Sequence, residues 1–111
     1  MADPLLLVQG DTAPQIKVIM TRDDTRLAED ITNAVVKLHF KKKATSTVLF
    51  SLTGQSTSDE ATAGTTIFIF SGTQLNIDAG KYEGEVEIVY QSGTRETIYE
   101  IIDFVLREDF A

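Results

Sequence analysis

Three kinds of side chain in this sequence have the chemistry to act on another molecule: a lone histidine, a row of glutamates and a run of lysines. His39 is the only histidine and lies between Lys37 and Lys41 on the polar side of an alternating segment. A catalytic histidine needs a nucleophile to deprotonate and a carboxylate to orient it, and no neighbouring motif supplies either. A surface or interface role is expected for it. Glu83, Glu85 and Glu87 recur at every second position. On a strand they share one face with side chains roughly 7 Å apart, which makes an acidic ridge rather than a clustered pair. A metal ion would need further oxygen ligands brought in by a loop. Asp23-Asp24 and Glu29-Asp30 fall outside any loop of EF-hand spacing, so turn and surface roles are expected for all four.

Lys41-Lys42-Lys43 is the only basic cluster. It lacks the interleaved aromatic residues that nucleic-acid binding exploits, and reads as a solvated hairpin turn or a contact for another protein's acidic patch. Glycines are scattered singly, no Gly-x-Ser-x-Gly elbow occurs, and cysteine is absent. The expectation is therefore a protein without catalytic residues, bound cofactor or metal.

Composition bounds what must position these groups. A chain of 111 residues with 42% hydrophobic and 24% charged residues fits one globular domain over residues 1–111. The net charge of −7 is unevenly spread: residues 1–43 carry six acids and seven bases, the rest eleven acids and three bases. An acidic chain repels phosphate, so nucleic acid is not an expected partner, whereas the asymmetry suits contacts between copies or with other proteins. The apolar run Leu5-Leu6-Leu7-Val8 is too short, and lacks the basic flank, for a signal peptide. No membrane span is expected either, and folding in a cytoplasm is.

The hydrophobic pattern is β throughout. Ile16, Val18 and Met20 alternate with polar residues, as do Val36, Leu38 and Phe40. Val48–Leu52, Thr65–Phe70, Tyr82–Tyr90 and Arg95–Arg107 complete the set, with turn residues every ten or so positions. Gly54–Gly64 is Ser/Thr-rich and expected to be an exposed, mobile loop, while Ser71–Ala79 has room for one helical turn at most. Apolar residues on both faces of Arg95–Arg107 call for a bulge near Asp103 or coverage from both sides. The sequence Asp78-x-Gly80-x-Tyr82 leading into an alternating strand is the form of a tyrosine corner, in which the ring packs and the hydroxyl bonds back to backbone. The fold expected is an all-β, immunoglobulin-like, two-sheet antiparallel sandwich of about seven strands, with Asp78, Gly80 and Tyr82 as anchors.

At this point the residues carry a resemblance. Gly10–Val18, Asp30–Lys42 (with Ala34-Val35-Val36-Lys37-Leu38), Ala79-Gly80-Lys81-Tyr82-Glu83-Gly84-Glu85 and the hairpin Ser92–Ile98 together resemble the N-terminal domain of upper baseplate proteins of tailed bacteriophages. The likeness spans about residues 8–107. Asn33 stands where that family has a turn glycine, and Val35 where threonine is common. The resemblance implies an immunoglobulin-like attachment module of a virion, made in the host bacterial cytoplasm, whose partners are other virion proteins and copies of itself. Without a coiled coil or distal domain after the sandwich, the implied role is an adaptor on tail or baseplate. The alternatives are a capsid or neck decoration protein, or a non-viral carbohydrate- or protein-binding sandwich. Leu5, Leu6 and Leu7, within a segment 1–9 expected to enter the sandwich or engage a neighbour, join Lys41, Lys42, Lys43 and Phe110 as candidate interface residues.

Overall fold

Strands dominate because polar and apolar residues alternate along the chain with a period of two. The computed structural model describes residues 4–11, 14–21, 27–71, 73–97 and 101–108. Its elements are β1 (Leu5–Val8), β2 (Gln15–Ile19), β3 (Val35–Lys42), β4 (Val48–Thr53), α1 (Ser58–Thr62), β5 (Thr65–Ile69), β6 (Gly80–Val89), β7 (Arg95–Thr97) and β8 (Ile102–Arg107). In β3 the apolar phase buries Val36, Leu38 and Phe40; in β6 it buries Tyr82, Val86 and Ile88. Gly84 belongs to the same buried phase of β6, where a β-carbon would come within 2.7 Å of Leu38 Cδ1 and 2.9 Å of Phe104 Cε2. It is glycine because its neighbours leave no room.

The chain is mostly β and folds as two packed sheets. The larger has the order β1-β8-β6-β3-β4, with β7 pairing β6 beyond the end of β8; the smaller is β2-β5. Eight strands are formed among the described residues. One feature corrects the antiparallel expectation: β1 runs parallel to β8, with Leu5 opposite Phe104 and Val8 opposite Arg107. These are the first and last strands, so no tight turn dictates their relative direction, as it does for a hairpin.

Phe40 sits at the centre of the core. Its ring stacks on Phe50 at 4.7 Å and on Tyr82 at 5.1 Å, leans on Phe104 at 5.0 Å, and meets the edge of Phe70 at 5.6 Å. Ile16 and Phe68 cover this layer from the smaller sheet, and Met20, Ile31 and Leu75 close it from the connections.

Two further expectations change. The Gly54–Gly64 stretch is exposed in its middle, but anchored at both ends and partly helical. Gln55 exchanges two 2.9 Å backbone bonds with Ile67, and Thr57 with Glu60 forms a capping box at the start of α1. Gly64 closes the segment at φ +71, where a β-carbon would meet the Met20 carbonyl at 2.5 Å. The signal in the sequence that could have found this short helix is Thr57-x-x-Glu60, a capping box at its start. The irregularity of the last segment also moves. Thr97 of β7 pairs with Glu87 while Ile102 of β8 pairs with Gly84, so the register against β6 differs between these two strands, and Asp103 sits in regular register opposite Glu83. Ile98, Tyr99, Asp23, Asp24 and Phe110 lie outside the described residues.

Candidate interaction surface

The side chains singled out for chemistry converge on the outer face of the larger sheet. Because β3 and β6 pair antiparallel, Lys37 lies opposite Glu87, His39 opposite Glu85 and Lys41 opposite Glu83. A basic row therefore runs beside the acidic ridge. Lys41 Nζ donates to Glu83 Oε1 at 2.8 Å and to the Thr45 carbonyl at 2.7 Å. The hydrogen bond from Lys41 holds the Glu83 carboxyl below the usual carboxylate range. Lys43 approaches Asp103 at 3.9 Å, and Arg95 approaches Glu87 at 3.9 Å. Lys42 points to solvent. The glutamates are thus half-buried rungs of a cross-strand ladder rather than a solvated row.

His39 has acquired the neighbours that the sequence did not announce. Its Nδ1 lies 2.7 Å from Ser51 Oγ on β4, and its Nε2 lies 3.4 Å from Glu87 Oε1 on β6. Serine, histidine and carboxylate stand in a row across three adjacent strands. The row lies on the open surface of a sheet, and Ser51 is directly opposite His39 in the β3–β4 register. Serine chemistry also requires donors aimed at a developing oxyanion and a wall that holds substrate. The cleft at the other end of β4, about 310 Å³ and lined by Lys42, Leu49, Ile77, Asp78 and Tyr82, does not include Ser51.

At the corner, the Tyr82 hydroxyl donates to the Asp78 carbonyl at 2.5 Å, and burial, with the Asp78 charge second, raises the phenol's pKa. A second tyrosine at the opposite end of β6 makes an arrangement not anticipated: Tyr90 donates to Glu29 Oε1 and lies 3.1 Å from Glu96 Oε2. Burial and these two carboxylates push its pKa upward. Glu29 therefore ties the β2–β3 connection to β6. Its neighbour Asp30 accepts from the Thr32 amide at 3.0 Å and from its hydroxyl at 2.5 Å, as turn aspartates do, and these bonds lower its pKa. Among the described residues no three His, Asp or Glu side chains converge as a metal site, and no helix is long and apolar enough to cross a membrane.

The remaining candidates lie on an edge. Leu7 is buried in the core, Leu5 is partly exposed and Leu6 is 79% exposed. No protein-family model matches the chain, and no curated protein does.

Proposed function

We propose that this chain is an immunoglobulin-like attachment module of a tailed-bacteriophage virion, an adaptor at the tail or baseplate that works by binding other proteins and copies of itself. One observation carries the reading. Three of the four segments that resemble the baseplate domain supply adjacent strands of one sheet: Asp30–Lys42 supplies β3, Ala79–Ile88 supplies β6 with its tyrosine corner, and the turn from Ser92 leads into β7, while Gly10–Val18 supplies β2 of the smaller sheet. The order β8-β6-β3-β4, facing the β2-β5 sheet, supports an immunoglobulin-like reading, in which a sheet of the GFC kind extended by a further strand packs on a second sheet. Capsid or neck decoration is the alternative address within the same reading. Mass spectrometry of purified virions, followed by cryo-imaging of the particle, tests it. The chain is expected at a symmetry-repeated position on the tail; its absence from particles would end the proposal, and a place on the capsid would move it.

A competing enzymatic reading rests on the Ser51–His39–Glu87 row. A serine-directed fluorophosphonate separates the two. No labelling is expected on an open sheet face, and labelling of Ser51 that vanishes with His39→Gln would favour hydrolysis.

A further inference from the structure

β1 is an edge strand that pairs with β8 alone. In that parallel ladder the Gln9 amide donates to the Arg107 carbonyl at 3.0 Å, which sets the alternation. Leu5 and Leu7 turn their backbone groups toward β8, and Leu6 and Val8 turn theirs to the open side, where the Val8 carbonyl also accepts from the Asp11 amide at 3.3 Å and keeps a second lone pair. Leu6 is also the most exposed large hydrophobic among the described residues, and it shares the outer face with Val105.

The other edges carry devices that discourage pairing. β4 has a register break against Phe40/Lys41, β2 has Lys17 at its centre, β7 is three residues long with Arg95 and Glu96, and the uncharged β5 has its open side capped by the two backbone bonds between Gln55 and Ile67. β1 reads Leu-Leu-Leu-Val and has no charge, proline, glycine or bulge.

We propose that a second copy of this chain covers the β1 edge, by antiparallel β1–β1 pairing about a two-fold axis at Leu7. Leu6 of each copy then lies opposite Val8 of the other, with about four backbone hydrogen bonds across the junction. The strand's neutrality selects the occupant. A two-fold axis sets like residues near like, which penalises charged strands and leaves an uncharged one free to be its own mate. The same operation on β2 would bring two copies of Lys17 together. The rest of the molecule opposes association through its net charge of −7, so added salt strengthens this dimer by screening. A basic partner at the same edge would bind more weakly as salt rises. The inference stands apart from the virion reading, since a solution monomer overturns this pairing and leaves the location of the chain in particles open.

Sedimentation velocity over a dilution series, at low and high salt, is the test. The expected result is a monomer–dimer equilibrium that tightens with salt. Leu6→Glu should weaken it at least about tenfold, the loss of one buried leucine at the junction, with an unchanged unfolding midpoint, while Ile19→Glu on the smaller sheet leaves it intact. The protein has no cysteine, so Leu6→Cys and Val8→Cys proteins can be mixed and oxidised. The unlike pair should crosslink faster than either alone, its α-carbons being about 5.5 Å apart. A monomer at every concentration, a dimer that weakens with salt, a dimer that survives Leu6→Glu, or like-with-like crosslinking would each overturn the pairing.

Discussion

The two faces of the larger sheet are built from the same strands, one residue out of phase, and they do different work. Along β3 the inward residues are Val36, Leu38 and Phe40, and the outward ones Lys37, His39 and Lys41. Along β6, Tyr82, Val86 and Ile88 face Glu83, Glu85 and Glu87 across the backbone. The inner face removes large aromatic area from water, where each ring contributes kilocalories. The outer face sets opposite charges in partly exposed rungs, where each contributes tenths. The outer face's value is in register: a one-residue slip of β3 against β6 would send its lysines into the core.

That contrast can be broken by measurement. Phe40→Ala is expected to cost about 3–5 kcal/mol in chemical denaturation, since it removes the ring that four others contact. Next comes Tyr82→Phe, which keeps the ring and deletes the bond to Asp78, at about 1 kcal/mol; a neutral result would mean that the corner's hydroxyl is not holding the loop. Lys41→Ala should cost less than about 1 kcal/mol, as a partly exposed pair. If it rivalled Phe40→Ala, the division between the faces would be wrong.

The pH profile is the mildest test. Asp30, Glu60 and Glu83 all have lowered carboxyl pKa values, by hydrogen bonds from Thr32, Thr57 and Lys41. Their contribution is present above the ordinary carboxylate values of 3.8 and 4.5 and disappears as pH falls below them. Tyr82 and Tyr90 are shifted upward, so theirs is present below pH 10.0 and is lost as the pH rises beyond it. Thermal melts should therefore show a plateau with an acid shoulder and an alkaline one. Glu83→Gln should flatten part of the acid shoulder, and Tyr90→Phe the alkaline one.

The strands were legible because alternation is local. Val36-Lys37-Leu38-His39-Phe40 announces its two faces without help from the rest of the chain. The tyrosine corner was legible for the same reason, as Asp78 and Tyr82 are four residues apart. Contacts made by long-range register were not. Nothing near His39 in sequence signals Ser51 or Glu87, and nothing near Tyr90 signals Glu29. The direction of β1 was hidden too, because a short apolar run fits a parallel or an antiparallel partner equally well. Asn33, at φ +61, occupies the left-handed conformation that asparagine tolerates better than most residues.

The parallel β1–β8 pair has a mechanical consequence. Chain enters β1 at Leu5, opposite Phe104, and leaves β8 at Arg107, opposite Val8. A pull on the two termini thus slides one strand lengthwise along the other, and every rung of that ladder bears the load at once. In a terminal antiparallel hairpin the same pull would peel rungs one by one. A domain closed in this way resists stretching along its length through a high forced-unfolding barrier, a property its equilibrium stability would not reveal. A part that joins larger bodies under tension gains from it.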